Sequence, residues 1–237
     1  MAAIFRPGAA VFPHYRPNPA ASGPPPAMAG VGGCSTLRSR KLPVLLFDVM
    51  DTIVRDPFYH DIPAFFKYCE ELLLLFSVII SLISSLIFPL TELAQIFFKD
   101  GRPFDLEGLK DCMRRGYSFV DGIEELLHML KENNYELHAF TNYPVWYMMI
   151  EEKLKLSKYL SWTFCSCKIG KRKPAPDSYT EVLHRLGIEP TSCLFIDDRQ
   201  KNVEAAKDAG MIGIHFRDAD SLKQDLSSLG IELAVLT

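Results

Sequence analysis

The first forty-one residues contain no aspartate and no glutamate, although the whole chain carries 29 acidic and 26 basic residues. Arg6, Arg16, Arg38, Arg40 and Lys41 stand there among Ala, Pro and Gly, without a sustained apolar period. Such a segment cannot bury enough surface to offset the entropy of ordering it, so residues 1–41 are expected to be disordered. They lack the apolar centre of a secretory signal and fit an organellar transit peptide. Their many prolines and few arginines favour the chloroplast, with a plain disordered tail as the alternative. The net charge of −3 therefore hides an acidic body. That argues against a nucleic-acid surface, which needs clustered positive charge.

Cysteine is scarce, with six in 237 residues, too dilute for a disulfide scaffold. Cys165-Ser-Cys167 has no matching second pair to complete a zinc site, so free thiols are expected. The histidines His60, His128, His138, His184 and His215 show no metal-ligand spacing. Internal repeats, G-x-G-x-x-G and a P-loop are all missing. Charge is missing from Leu72 to Thr91, twenty residues broken by Pro89. The length suits a membrane helix, but Ser77, Ser81, Ser84 and Ser85 share a helical face, and a span would split the core across a bilayer. A buried or partner-covered helix is expected there, with membrane association as the lesser alternative.

What is present is organised around Leu45-Leu46-Phe47-Asp48. An apolar run ending abruptly in an aspartate is how a buried parallel strand delivers a carboxylate to the carboxyl edge of a sheet, where open α/β sheets bind ligands. Further strands are expected at Glu136 to Phe140, Trp162 to Cys165, Cys193 to Ile196 and Ile212 to Phe216. Helices are expected at Pro63 to Glu71, Leu106 to Tyr117, Asp121 to Glu132, Trp146 to Leu156, Ser178 to Leu186, Asn202 to Ala209 and Ala219 to Leu229. Loops are expected over Arg55 to Tyr59 and Lys168 to Pro176. The alternation means βαβ units, hence an α/β fold with a parallel sheet and helices on both faces.

Four strand ends then carry polar groups: Asp48, Thr141 with Asn142, Lys173 in the loop after the third strand, and Asp197-Asp198. A carboxylate nucleophile, a hydroxyl and amide to hold an oxygen, a lysine and two more carboxylates make a coherent phosphoryl-transfer site. Crowded carboxylates need a cation, and Mg²⁺ suits all-oxygen ligands.

Asp48-Val-Met-Asp-Thr52, Thr141-Asn142, Gly170-Lys-Arg-Lys173-Pro174 and Ile196-Asp197-Asp198-Arg199 through Asn202 resemble, in order and spacing, the four motifs of the haloacid dehalogenase (HAD) superfamily. The resemblance covers Val44 to Phe216. It implies a Rossmann-like sheet formed by 42–56 and 117–237, with a small helical cap inserted over 57–116. It also implies that Asp48 is the nucleophile and a Mg²⁺ ligand and that the Met50 carbonyl is a second ligand. Thr141 and Lys173 would hold the phosphoryl group, and Asp198 would ligate the metal with Asp197 beside it. The strings FDVMDTIVRDPF, AFTNYPVWY, LSWTFCSCKIGKRKP and FIDDR are similar to the FMN-hydrolysing branch of that superfamily in plant chloroplasts. That similarity implies release of riboflavin and phosphate from FMN. Asn142 and Trp146 would contact that substrate, and Phe58, Tyr59, Tyr143 or Tyr147 could stack on its ring, although core packing explains each of them as well.

Two departures from the pattern stand out. Such phosphatases place an acid/base aspartate two residues after the nucleophile, and that residue is Met50 here. Asp51 is the nearest substitute, or else a turn cap. The oily stretch 72–91 replaces a charged cap helix. A dehalogenase-like hydrolase and a catalytically decayed cofactor-binding protein are the alternatives, and the oligomeric state is left open by the sequence.

Overall fold

The structure, a computed structural model, describes residues 41–62 and 105–233. Strand β1 (Val44–Phe47) is followed by a short helix α1 (Pro57–His60), then α2 (Leu106–Gly116) and α3 (Ile123–Glu132). Next come β2 (Leu137–Thr141), α4 (Tyr147–Leu154), β3 (Ser161–Cys165), α5 (Ser166–Ile169) and α6 (Pro176–Leu186). The described residues end with β4 (Cys193–Asp197), α7 (Gln200–Asp208), β5 (Ile212–His215) and α8 (Ala219–Ser228).

The five strands form one parallel sheet in the order β3-β2-β1-β4-β5. The chain builds outward from β1 to β2 and β3, then crosses back to place β4 on the other side of β1. That reversal opens a crevice at the carboxyl end of β1, the usual ligand site of such sheets. Successive side chains of β1 face opposite ways. Leu45 and Phe47 enter a core with Leu126, Leu130, Ile150 and Leu222, while Val44 and Leu46 enter a second core with Tyr179, Val182 and Ala206. Burial on both faces makes β1 uniformly apolar and ties it firmly into the sheet.

The expected strands and helices within the described residues all occur, with ends moved by one or two residues. Two expected loops contain helices instead. Asp56 caps α1 by accepting the Phe58 N–H, with Pro57 preset for the first turn. In the basic loop, α5 closes through the Gly170 N–H on the Ser166 carbonyl, and Gly170 supplies the left-handed φ of 68°. The expectations for 1–40 and for 63–104, including the stretch 72–91, lie outside the described residues. The described ends of the proposed cap meet at Gly116, where a Cβ would come within 2.6 Å of the Pro57 Cβ. Among the described residues no helix is long and apolar enough to cross a membrane.

Candidate active site

Asp48 follows β1 directly, and its backbone N–H donates to the Ile196 carbonyl of β4 at 2.8 Å. Its carboxylate is thereby fixed at the crevice, buried to 8% exposure. Opposite it, Lys173 Nζ donates to Asp48 Oδ1 at 2.8 Å and to Asp197 Oδ2 at 2.5 Å. The ammonium also lies 5.1 Å from the Phe140 ring centre and 4.9 Å from that of Phe195, near enough for the ring faces to favour its charge. Burial works against the Lys173 charge, but Asp48 and Asp197 outweigh it and hold the pKa above its ordinary value.

The other strand ends complete the arrangement. Thr141, the buried last residue of β2, accepts the Tyr143 N–H on Oγ1 at 3.1 Å, which leaves its own hydroxyl proton to donate. Asn142 grips the backbone of Lys173 through both ends of its amide. Asp197 ends β4 and is held by Asn202 Nδ2, 3.0 Å from each carboxylate oxygen, and by the Arg199 N–H at 2.8 Å. The Asp198 N–H donates to Thr52 Oγ1 at 3.1 Å, and its carbonyl lies 2.8 Å from His215 Nε2. Asn202 and Thr52 lie inside the matched motifs, yet their roles as clamps on Asp197 and Asp198 emerge only in the folded chain.

The acidic groups are crowded. Asp48, Asp197 and Asp198 each offer one oxygen, all within 4.8 Å of one another. Burial pushes Asp48 up to about 6, with Lys173 opposing and Asp197 adding to the rise. Asp198 is pushed up to about 7 by burial, then by Asp48 and Asp197. Its Oδ1 is buried and, among the described residues, has no hydrogen-bond partner. An orphaned carboxylate oxygen beside two more carboxylates is what an oxygen-seeking dication would satisfy, so these residues fit Mg²⁺.

The turn after Asp48 is tight. The Ile53 and Val54 N–H groups donate to the Val49 carbonyl, and the Asp51 N–H donates to the Val54 carbonyl at 2.7 Å. Asp51 takes a left-handed φ of 54°, and its Oδ1 accepts the Asp56 N–H at 2.9 Å. Met50 is half-buried, bridges Val54 and packs on the core. Trp146 likewise packs half-buried on the core. Phe58 and Tyr143 are core residues, the Tyr143 hydroxyl lies 2.7 Å from that of Tyr117, and the Tyr147 ring lies 4.9 Å from that of Trp162, tilted by 40°. Cys165 and Cys167 are free thiols.

Residues 113–210 match the haloacid dehalogenase-like hydrolases. The chain is 54% identical over 228 residues, 93% of its length, to flavin mononucleotide hydrolase 1 of Arabidopsis thaliana, a chloroplast protein of which 91% is covered. A phosphoglycolate phosphatase of Pseudomonas aeruginosa is 33% identical over 91 residues, 38% of this chain and 34% of that protein. Among solved structures, a HAD family enzyme of Bacteroides thetaiotaomicron, determined with magnesium and inorganic phosphate, shares the fold with a TM-score of 0.60 at 18% identity, covering 75% of this chain and 95% of that one.

Proposed function

The chain belongs to the haloacid dehalogenase-like hydrolases, and we propose that it is a Mg²⁺-dependent phosphomonoesterase that hydrolyses FMN to riboflavin and phosphate. The observation that carries the reaction type is the buried Asp48–Lys173–Asp197 contact beside the unpartnered Asp198 oxygen. The substrate is taken from the Arabidopsis relative, whose name states it. The same relative and the acid-free segment 1–41 support a chloroplast location.

In the first half-reaction an Asp48 oxygen attacks phosphorus and the bond to the alcohol oxygen breaks, leaving an aspartyl-phosphate. Lys173 keeps Asp48 ionised for that attack and offsets charge on the phosphoryl oxygens. Thr141 turns its hydroxyl proton toward one of those oxygens. Asp48, the Met50 carbonyl and Asp198 would hold Mg²⁺, with Asp197 fixed beside them by Asn202. Bound there, the ion supplies Lewis-acid stabilisation of the phosphoryl charge. Water then cleaves the aspartyl-phosphate. The interval 57–116 is proposed as the cap over this crevice, with Trp146 and Asn142 at its floor.

The test is phosphate release from FMN and from a panel of other phosphomonoesters, with Mg²⁺ and with excess chelator. Metal-dependent release that prefers FMN is expected. Release that ignores the chelator, or a preference for another ester, would overturn the metal or the substrate assignment respectively.

A further inference from the structure

The leaving oxygen needs a proton, and Met50 has none to give. Among the described residues, Asp197, Asp198 and Asp56 lie within electrostatic reach of Asp48, and Asp51 lies within reach of Asp198 and Asp56. Asp197 is engaged by Lys173, Asn202 and the Arg199 N–H, and Asp198 belongs to the carboxylate cluster. Asp51 is turned by its left-handed backbone onto the Asp56 N–H. The fourth is Asp56.

The turn geometry folds Asp56 back against Asp51. After the chain reverses over Val49–Val54, Val54 pairs with Phe119 and the Arg55 N–H donates to the Ser118 carbonyl at 2.9 Å. Asp56 is thereby held beside Asp51, which accepts its N–H at 2.9 Å, while the Phe58 N–H donates to its Oδ1 at 2.9 Å, and it lies within electrostatic reach of Asp48. Its side chain is buried, with 7% exposure.

We propose that Asp56 is the general acid and base of this site, and that Asp51 positions it. This inference rests on the phosphomonoesterase reading. As the bond from phosphorus to the alcohol oxygen breaks, the Asp56 carboxyl gives that oxygen its proton and the alcohol leaves neutral. The attacking water then passes a proton to the Asp56 carboxylate while its oxygen bonds to phosphorus and the bond to Asp48 breaks. The cycle ends with free phosphate and both aspartates as they began.

The surroundings suit both directions of transfer. Burial raises Asp56 to about 7, the Phe58 N–H opposes, Asp51 adds to the rise, Arg199 opposes and Asp48 adds. The hydroxyls of Tyr117 and Tyr143 also lie within its electrostatic reach. A group poised near the working pH is the efficient choice for a proton that must go out and come back.

The experiment compares the full-length wild type with Asp56→Asn and Asp51→Asn on FMN and on 4-nitrophenyl phosphate, whose leaving group needs no proton. For Asp56→Asn, riboflavin release should fall by ~10²–10⁴-fold without a burst. The same variant should still release one nitrophenolate per chain at close to the wild-type rate, and then turn over slowly because the base is gone. That burst shows a folded, nucleophile-competent site. In the wild type, riboflavin release should fall as pH rises through about 7, and Asp56→Asn should lack that limb. Three results overturn the assignment: Asp56→Asn turning over FMN as the wild type does, loss of its nitrophenolate burst, or the burst signature appearing in Asp51→Asn instead. A wild type inactive on both esters would overturn the phosphomonoesterase reading itself, and this inference with it.

Discussion

Asn142 and Lys173, thirty-one residues apart, hold each other in both directions: the Asn142 amide donates to the Lys173 carbonyl at 2.8 Å and its Oδ1 accepts the Lys173 N–H at 2.9 Å. The ammonium that bridges Asp48 and Asp197 thus hangs from a backbone fixed to the end of β2. Orientation of such a group is worth far more than its mere presence. Asn142→Ala should lower kcat by roughly 10- to 100-fold, consistent with an ångström-scale misplacement. Asn142→Asp, which keeps one of the two hydrogen bonds, should fall between that variant and the wild type. Steady-state kinetics of the two variants check the order.

Lys173 is the counter-charge for two buried carboxylates. Lys173→Met leaves Asp48 and Asp197 facing each other unpaired, and breaking a buried pair this way costs ~3–5 kcal/mol. A lower melting temperature and loss of phosphate release are expected together, and a calorimetric melt beside the assay reads both. Lys173→Arg should not restore turnover, because a planar fork cannot replace a point charge shared between two carboxylates.

Asp48, Thr141 and Asp197 are legible because each stands at the end of an apolar strand. The run Val44–Phe47 stops at Asp48, β2 stops at Thr141 and β4 stops at Asp197, so apolar periodicity alone brought those groups to one edge. The clamps were not legible. Asn202 holding Asp197 and Asn142 holding Lys173 depend on distances that only the packed sheet sets. Asp56 falls in an expected loop, although Asp-Pro is a helix-start signal. The tyrosines within its electrostatic reach, Tyr117 and Tyr143, arrive from later elements. Asp51 shows the limit of counting along the chain, because one left-handed residue redirects a side chain that spacing alone would send elsewhere.

A dication should stabilise the fold through Asp198. Mg²⁺ that binds only the native state raises the melting temperature by mass action. The wild type should gain several degrees at saturating Mg²⁺, and Asp198→Asn should gain little. Thermal melts with and without the metal, each without substrate, distinguish binding from catalysis.

Without metal, stability should fall as pH rises. Asp198 goes from an ordinary 3.8 to about 7 in the folded state, and Asp56 does the same. Between those values the folded chain holds protons that the unfolded chain has released. The folding free energy therefore worsens through that window and levels off above about 7. Denaturant melts in chelator at about pH 5 and about pH 8 should show the higher midpoint at the lower pH. Mg²⁺ should recover the loss at pH 8, since it favours ionised Asp48 and Asp198, and Asp56→Asn should flatten the slope.

Covalent capture on Asp48 tests the aspartyl-phosphate directly. FMN carrying a labelled phosphate is mixed with the full-length protein and Mg²⁺, quenched in acid within one turnover, and the chain is digested. Label is expected on the peptide that contains Asp48, absent from Asp48→Asn, and chased away by unlabelled FMN in the wild type. Phosphate release with no label on any peptide, or an Asp48→Asn variant that still turns over, would rule out Asp48 as the nucleophile.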